Sequence, residues 1–387
     1  MIKKSLSWLF ILVAITMLTY LIFNDQDTSN TKLQAVDGQL DLSEITKEEE
    51  IVALSGEWRF IGNKFLEPAN FPDHAPIEKV PGPWQADAEY GTYQLKIKLP
   101  PHFKKIGIRV RNIWSSHRLF INNEIAASYG KLATAREASE PSNPVYEVYF
   151  SPSSDSVILT IQVADFYNAR HGIIFPIDIG DADALAKDVI QDVYLEKTTI
   201  IMLLIFSIFH FSLYLLRIRD KAFFYSAMYF FTLAILVCTR GERTLYREFP
   251  TIEFEFYFRL QDFITYINAV MLFLFFAYTV TAMMKRRTAL LFVSPLLLYG
   301  VGTLLLPARS LSELQYIFFT YINFLAFFII GRLLYLIMTK SAHVPKNELI
   351  ILSATIISLL IFSISGTFDQ LFSLDEMFLI VLVCYSL

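Results

Sequence analysis

Residues 198–216 read TTIIMLLIFSIFHFSLYLL and contain no charged side chain. An apolar stretch of this length suits an α-helix that crosses a hydrocarbon core of about 30 Å. Five further stretches of the same character follow: Ala222–Thr239, Phe263–Met284, Ala289–Leu306, Leu314–Met338 and Glu348–Gly366. A seventh begins near Glu376 and holds about a dozen residues before Leu387, too few to span. The pattern therefore predicts an α-helical seven-transmembrane domain over residues 198–387, with its last span incomplete.

The positions of positive charges predict which helix ends face the cytoplasm. Basic residues follow the first, third and fifth spans: Arg217, Arg219, Lys221, Lys285, Arg286, Arg287, Lys340, His343 and Lys346. Because cytoplasmic loops carry the Lys/Arg excess, the odd-numbered spans are expected to run inwards. The loop after the second span argues the other way, since it holds Arg240, Arg243, Arg247 and Arg259. Three concordant loops outweigh one, which predicts a multi-pass protein of the cell (inner) membrane with residues 24–197 extracytoplasmic.

Composition divides the chain into two parts of opposite charge. The 387 residues are 54% hydrophobic and 18% charged, which is too apolar for an ordinary globular protein. Residues 24–197 hold 17 Lys and Arg against 26 Asp and Glu, although the whole chain has a net charge of only −4. This asymmetry disfavours nucleic acid as a partner. Cys238 and Cys384 both fall in or beside spans, so a hydrophobic core must stabilise the outer region without disulfides.

Three shorter segments flank the outer domain. Lys3 and Lys4 precede an apolar run, so residues 1–23 are predicted to be a membrane anchor or a signal peptide. The anchor is favoured because no small-x-small cleavage site follows. Residues 24–50 are polar and acidic, which indicates a linker or an edge extension of the outer domain. Residues 181–197 predict either an amphipathic helix continuous with the first span or an ordinary juxtamembrane linker.

Between residues 51 and 180 the hydrophobic period changes to two. Four runs predict strands, the first three of them half-buried by their alternation: Gln94–Leu99, Gly107–Arg111, Tyr146–Phe150 and Val157–Val163. Turn residues separate these runs, and the pair Asn122-Asn123 predicts a tight hairpin because asparagine tolerates positive φ. Many short strands at this spacing predict an all-β sandwich of jelly-roll or similar topology. We interpret it as the sensor domain of the chain.

Four segments resemble a known sugar-binding domain. GEWRF at Gly56–Phe60, VPGPW at Val80–Trp84, GTYQL at Gly91–Leu95 and RLFINNE at Arg118–Glu124 resemble the jelly roll of family-two glycoside hydrolases. The same domain before seven spans resembles the bacterial seven-transmembrane receptors with diverse intracellular signalling modules (7TMR-DISM). This resemblance implies a cytoplasmic histidine kinase, nucleotide cyclase or phosphatase as the output. No such module is found among these 387 residues.

The outer domain contains side chains of the kinds that hold sugars. Aromatic rings stack on apolar sugar faces, while Arg and His hydrogen-bond hydroxyl groups or acids. The predicted ligand-binding residues are Trp114, His117, Tyr129, Asp165, Tyr167, Arg170 and His171. Residues 165–171 directly follow a strand, where loops carry binding residues. The alternative is a structural loop that rests on the membrane or on a neighbouring span. Trp58 and Trp84 are expected in the core.

The sequence predicts no catalytic, metal or cofactor site, and no enzyme activity. Glycoside cleavage needs two carboxylates that face each other across the bond, and the scattered acids of the outer domain offer no such pair. In the related hydrolases the catalytic residues belong to a barrel domain, which this sequence lacks.

Polar residues within the spans are costly in lipid and therefore informative. They are His210, Asn268, Asn323 and Arg332. The first three are predicted to form interhelical hydrogen bonds, and Arg332 to extend towards the inner interface. Intramembrane carboxylates are nearly absent and lysine is absent from the spans, which argues against a pump, a channel or a retinal protein.

Together these patterns predict a membrane signal-transduction receptor of the bacterial cell envelope. Its outer sandwich would sense a small-molecule or carbohydrate-like ligand, and its helices in the lipid bilayer would relay the signal to a cytoplasmic kinase, cyclase or phosphatase. One alternative is a transporter, which would show midplane charges or broken helices. Another is an envelope assembly or adhesion protein that binds a protein partner. The sequence leaves the oligomeric state open, a homodimer included.

Overall fold

The computed structural model describes residues 33–339, except positions 48, 86, 114–115, 168–170, 218–219 and 281–282. A β region (residues 33–181) comes first, and a helical region (residues 182–339) follows it. The predicted anchor or signal peptide and the predicted sixth and seventh spans lie outside the described residues. So do the basic residues that follow the fifth span.

Two larger sheets and one small sheet make up the described β region. The strands are β1 Gln34–Ala35, β2 Gln39–Asp41, β3 Val52–Ala53, β4 Ser55–Gly62, β5 Ile77–Val80, β6 Gly82–Pro83, β7 Tyr90–Lys98, β8 Ile106–Val110, β9 Ser116–Ile121, β10 Glu124–Tyr129, β11 Tyr146–Phe150, β12 Ser156–Ala164, β13 Gly172–Ile173 and β14 Ile177–Asp181. The largest sheet has the order β1-β4-β7-β12-β9-β10, with β2 also paired to β7 and β5 to β4. The second sheet has the order β11-β8-β14-β3, and β13 pairs with β6.

One hydrophobic core joins the two larger sheets. Trp58, Tyr93 and Leu95 enter it from the largest sheet, and Ile108 and Ile179 enter it from the second. Each of these side chains is at most 1% exposed. Fully burying a large apolar side chain contributes about 1.5–3 kcal/mol, so a core of this kind can stabilise the region without disulfides. The predicted core position of Trp58 is therefore confirmed, as is that of Trp84, which is 6% exposed.

The strands predicted from period-two alternation are present as β7, β8, β11 and β12. The predicted hairpin joins β9 to β10, and Asn122 adopts a φ of 55° at its turn. The Asn122 Oδ1 also accepts a hydrogen bond of 2.9 Å from the backbone N–H of Ile158, which ties the turn to β12. Strands β1 and β2 fall within residues 24–50, and Leu40 and Leu42 are buried there. This part of the segment is therefore an extension of the sheets, the second of its two predicted alternatives.

Strand β8 does not have the half-buried pattern predicted for it. All five of its residues are buried, and Arg109, which alternation places in water, has no exposed surface. The reason is that the first long helix covers this face of the sheet. An added Cβ at Gly107 would come within 2.6 Å of Leu185 Cδ2 of that helix. The half-buried prediction for this strand is wrong because alternation cannot show what packs on the polar face.

Six helices lie in the described helical region. They are α1 Ala182–Leu216, α2 Lys221–Cys238, α3 Thr244–Glu248, α4 Phe254–Thr279, α5 Arg286–Thr303 and α6 Ala308–Thr339. Four of them, α1, α2, α4 and α6, are long and apolar enough to cross a membrane. Helix α2 packs between α1 and α4, while α5 and α6 pack on α4. The first five predicted spans overlap α1, α2, α4, α5 and α6.

Helix α4 begins at Phe254, well ahead of the predicted span start at Phe263. The added turns hold polar residues that hydropathy excludes from a span. An ion pair of 2.8 Å between Glu255 and Arg259 supports this part of the helix at i,i+4 spacing. The Tyr257 hydroxyl donates a 2.7 Å hydrogen bond to the carbonyl of Thr239, which fixes the helix start beside the end of α2.

Helix α1 runs without a break for 35 residues, which is about 52 Å at 1.5 Å per residue. The Asp181 Oδ1 caps its first turn by accepting hydrogen bonds from the N–H of Asp183 (2.9 Å) and of Ala184 (3.4 Å). The amphipathic segment and the first predicted span are therefore one helix. Since a hydrocarbon core is only about 30 Å thick, a large part of α1 extends beyond any membrane that it crosses.

Candidate functional site

The first group of predicted ligand residues is His117 with Tyr129. The His117 Nε2 lies 2.9 Å from the hydroxyl of Tyr146, and the two rings are stacked with centroids 5.6 Å apart. The ring of Tyr129 is 4.5 Å from that of Tyr146. Burial raises the pKa of Tyr129 and, more strongly, the pKa of Tyr146. Both phenols are therefore hydrogen-bond donors at neutral pH.

The second group surrounds Asp165, which is fully buried after β12. Its Oδ1 accepts a 3.2 Å hydrogen bond from the N–H of Tyr167, and its Oδ2 lies 3.7 Å from Nδ1 of His171. The ring of His171 stacks on that of Trp84 with centroids 5.9 Å apart. The Tyr167 hydroxyl donates to the carbonyl of Ser139 at 3.2 Å. The loop is thus held by its own polar side chains.

Ser139 connects the two groups, because its Oγ lies 3.3 Å from Oγ of Ser116, the neighbour of His117. The fully buried His117 and Asp165 can position their neighbours. The surface available to a ligand belongs to three half-buried residues: Tyr129, Tyr167 and His171. Trp114 and Arg170 lie outside the described residues. Ligand binding by any of the seven stays a prediction.

Both groups lie on the side of the β region that meets the helices. The ring of Tyr167 makes an edge contact, at 6.1 Å, with Phe254 at the start of α4. Part of loop 165–171 therefore rests on a neighbouring helix, as its alternative interpretation predicts. Further along this side, the hydroxyl oxygens of Ser142 and Tyr246 are 3.1 Å apart. A ligand held by these residues would lie beside the helix ends.

The most strongly bonded connection between the two regions is Arg109. Its Nη1 donates to Asp188 Oδ2 at 3.1 Å, and its Nη2 donates to Asp192 Oδ2 at 2.8 Å and to the carboxylate of Glu242. Asp188 and Asp192 are one turn apart on α1, while Glu242 lies between α2 and α3. Burial lowers the pKa of Arg109, but the carboxylates of Glu242 and Asp192 outweigh this and raise it overall. A permanent positive charge thus binds three segments together.

Two further residues extend this connection, and we call the set of Arg109, Asp188, Asp192, Glu242, Arg247 and Glu147 the junction. Arg247 Nη2 donates to Glu147 Oε1 of β11 at 2.7 Å and to Glu242 Oε2 at 2.9 Å. Glu242 therefore receives one arginine from the sheet and one from α3. Nearby, the side chain of Arg243 donates to the backbone carbonyl of Asn143. The junction links β8 and β11 to α1 and α3.

Helix α1 also holds the loop after α2 through Glu196. This buried carboxylate accepts hydrogen bonds from the N–H of Glu242 (2.7 Å), the N–H of Thr244 (3.0 Å) and the Oγ1 of Thr244 (2.5 Å). Asp188, Asp192 and Glu196 follow each other at intervals of four residues, so they lie on one face of α1.

Sequence patterns alone do not identify the junction. The period-two alternation predicted an exposed Arg109. Arg243 and Arg247 were noted only because they lie in a loop that does not fit the Lys/Arg excess of cytoplasmic loops. The available signal was the acid spacing on α1, because carboxylates at i,i+4 spacing repel one another and a cationic partner relieves that repulsion. The candidate partners for these carboxylates were an arginine on a strand that faces the helix and the arginines of the loop after α2.

The four predicted intramembrane polar residues have separate environments. Asn268 of α4 donates to the carbonyl of Tyr229 and to Oγ1 of Thr232, both at 3.0 Å, and so joins α4 to α2. His210 Nδ1 lies 2.9 Å from the carbonyl of Phe206 within α1. Two are on α6: Asn323 is half-buried, and Arg332 donates from Nε to the carbonyl of Met283 at 3.0 Å. Among the described residues, no group of three or more His, Cys, Asp or Glu is arranged to hold a metal ion.

No protein-family model matches the chain, and no curated protein matches it. Solved structures match part of the chain. A β-glucuronidase of Faecalibacterium prausnitzii is 14% identical over 36% of this chain and 33% of its own, with a TM-score of 0.28. A β-glucuronidase of an uncultured Clostridium sp. is 13% identical over 35% and 29%, with a TM-score of 0.27.

A GH2 β-galacturonidase of Eisenbergiella tayi is 12% identical over 36% of this chain and 26% of its own, with a TM-score of 0.25. The chain spans a third or less of the length of these three enzymes. TM-scores this low carry no argument about its fold or activity.

Proposed function

We propose that the chain is the membrane-embedded sensory part of a cell-envelope receptor. Its β region, a jelly roll, binds a carbohydrate-like ligand outside the cytoplasm. The helices cross the inner membrane and pass the binding event to a cytoplasmic kinase, cyclase or phosphatase. Tyr129, Tyr167 and His171 contact the ligand, together with Trp114 and Arg170.

The observation that best supports this proposal is the burial of Arg109 between a sheet and a membrane-length helix. A receptor requires that ligand binding favours one helix arrangement over another, typically by about 1–3 kcal/mol. Breaking a buried ion pair by removing one partner costs about 3–5 kcal/mol. Contacts of this strength can hold β8 and α1 together while the rest of the β region responds to a ligand.

The placement of the predicted ligand residues supports the same proposal. Tyr167 contacts Phe254 at the start of α4, so a ligand on loop 165–171 would meet a helix end directly. Glu147 adjoins Tyr146 of the first group and is bonded to Arg247 of α3. A ligand that moves either group therefore changes a contact with the helical region.

Isothermal titration of the full chain in lipid nanodiscs tests the carbohydrate part of the proposal. The titrants are N-acetylglucosamine, glucose and glucuronate, and we expect at least one to release heat. His171→Ala should then weaken binding by about tenfold, which is the loss of roughly one hydrogen bond to a ligand. His74→Ala is the matched control, because His74 is an exposed histidine of the same region.

Absence of heat for all three sugars would count against carbohydrate sensing. If an envelope protein then bound the chain in a pull-down, the assembly role would replace the sensor. Equal affinities for His171→Ala and His74→Ala would remove loop 165–171 from the binding site.

A further inference from the structure

The end of the helical region farthest from the β region carries a set of exposed cations. Helix α1 starts against β8 and runs away from it to Leu216. The rings of Tyr214 and Phe224 are 5.4 Å apart, so α2 starts where α1 ends. The rings of Tyr225 and Tyr278 are 4.9 Å apart, so α4 ends beside the start of α2. Five exposed residues at or between these helix ends form what we call the basic end: Arg217, Lys221, Lys285, Arg286 and Arg287.

No carboxylate compensates the charges of the basic end. Within the part of the chain that the structure describes, none of its five residues forms an ion pair. Asp220, which lies between α1 and α2, accepts a 3.0 Å hydrogen bond from the N–H of Ala222 instead. At the opposite end of the helices, five described arginines each donate to a side chain or a carbonyl of the chain: Arg240, Arg243, Arg247, Arg259 and Arg309. The uncompensated positive charge therefore lies at the end away from the β region.

Aromatic rings hold two of these cations in place. The guanidinium of Arg217 lies 5.6 Å from the ring centroid of Phe223, and that of Arg286 lies 5.2 Å from the ring centroid of Tyr278. Stacking uses the face of a guanidinium and leaves the N–H groups at its edge to donate to an anion. Tyrosine at the ends of apolar helices is typical of the level at which lipid headgroups lie.

Exposed apolar side chains adjoin the same cations. Leu215 and Leu216 directly precede Arg217, and Leu290 and Leu291 follow Arg287 by about one turn of α5; all four leucines are exposed. Exposed apolar surface beside cations matches a bilayer surface, where acyl chains cover the apolar groups and phosphates meet the charges. An acidic soluble protein would pair with the cations but would leave the leucines without an apolar partner.

We propose that the basic end binds the headgroups of anionic phospholipids. The two stacked arginines donate to phosphate oxygens, which a guanidinium can bind through two parallel N–H groups. The lysines and Arg287 add attraction to the negative surface of the leaflet. This proposal rests on the helices lying in a membrane, which the proposed function also requires, but it depends neither on the direction of insertion nor on a sugar ligand.

Thermal unfolding of the full chain in nanodiscs tests the proposal. The nanodiscs contain either phosphatidylcholine alone or a mixture with about one-third phosphatidylglycerol, which is anionic. We expect the mixture to raise the melting temperature by about 2–4 °C, because a partner that binds only the folded state stabilises it. The rise should largely disappear at about 1 M salt, which screens the charges. Inorganic phosphate or polyglutamate, added to phosphatidylcholine nanodiscs, should give a much smaller rise.

Two triple variants of the loop before α5 show whether its charge is responsible. Lys285→Gln/Arg286→Gln/Arg287→Gln should lose most of the rise, because it removes three of the five cations. Lys285→Arg/Arg286→Lys/Arg287→Lys keeps the charges and should retain most of the rise. Lys47→Gln/Lys96→Gln/Lys104→Gln is the matched control, since it removes three exposed lysines from the β region, and it should also keep the rise.

The proposal is overturned by equal melting temperatures in the two kinds of nanodisc or by an unchanged rise in the glutamine variant of the loop. An equal rise with inorganic phosphate would assign the basic end to a free anion, and an equal rise with polyglutamate would assign it to an acidic protein; either result also overturns the proposal. His171→Ala should keep the rise, so that failure of the sugar site and failure of the lipid site are distinguishable.

Discussion

At Arg109 a full charge is buried, and three carboxylates from two other segments compensate for it. Taking a guanidinium out of water costs several kcal/mol unless its partners are close and well oriented. Here the partners are Asp188, Asp192 and Glu242, and the first two are themselves partly exposed. The residue thus depends on segments that are far from it in sequence.

Replacing this arginine should be far more harmful than replacing an exposed lysine. Arg109→Gln leaves Glu242 without its sheet partner, so we expect the free energy of unfolding to fall by about 3–5 kcal/mol. Lys98→Gln is the control, because its ion pair with Asp41 is more than half exposed on both sides and should contribute about 0–1 kcal/mol. Denaturant unfolding of both variants in nanodiscs measures the difference. Equal losses would mean that Arg109 does not organise the junction.

Asp41 provides a prediction about pH. Hydrogen bonds from the hydroxyl and N–H of Ser43, and then from Lys98, lower the pKa of Asp41 from 3.8 to about 2. The carboxylate therefore stabilises the fold above pH 3.8, and this contribution is lost as the pH falls through about 2. Ser43→Ala should raise the pKa towards 3.8. A carbon-13 NMR titration of the labelled aspartate measures it, and an unchanged pKa would show that Ser43 is not the main cause.

At the residue scale, the sequence predicts the chemical character of a side chain better than it predicts which groups surround that side chain in the fold. Trp58 and Trp84 were predicted in the core because tryptophan side chains are highly buried on average. Arg109 could not be placed, since its burial depends on α1 and on the loop after α2. His117 and Asp165 have the chemistry of ligand residues, yet their burial follows from neighbours such as Tyr146 that no local pattern identifies.

Among the elements, β8 and α1 have the closest contact between the two regions. Gly107 has no side chain, and Leu185 of α1 fills the space above it. Gly107→Ala should displace Leu185 and lower the free energy of unfolding by about 1–3 kcal/mol. Adding Leu185→Ala should relieve this overlap, so the double variant should lose less than the sum of the two single variants. Unfolding of all three measures the coupling, and strict additivity would mean that the two residues do not meet.

Local patterns predicted four of the strands and the β9–β10 hairpin but misplaced the start of α4. Alternation and turn residues act over a few neighbours, so β7, β11 and β12 could be recognised directly. Hydropathy instead measures how long an apolar stretch is. It therefore places the start of α4 at Phe263, whereas Tyr257 and the Glu255–Arg259 pair extend the helix towards the β region.

For the whole molecule, three of the four exceptional arginines after α2 have an explanation. Two of them are bonded to the β region, Arg243 to Asn143 and Arg247 to Glu147. Arg259 pairs with Glu255. A cation that is paired within the fold is not free to act as a cytoplasmic retention signal, so the loop need not contradict the orientation that the other loops predict.

Cysteine labelling tests that orientation. In a background in which Cys238 and Cys384 are serine, we introduce Lys131→Cys in the β region and Lys285→Cys between α4 and α5. Both positions are exposed. We expect a membrane-impermeant maleimide to label Lys131→Cys in intact spheroplasts, and Lys285→Cys only after lysis. The opposite pattern would invert the topology and remove the sensor proposal.

The length of α1 has a consequence for movement. The helix is held near one end by Asp188 and Asp192, and Leu216 lies about 24 residues beyond Asp192. At 1.5 Å per residue that arm is roughly 36 Å long. If α1 tilts as a rigid body about this attachment, the displacement grows with distance along the helix. A tilt of about 5° would move the Leu216 end by roughly 3 Å, which is about twice the rise of one residue.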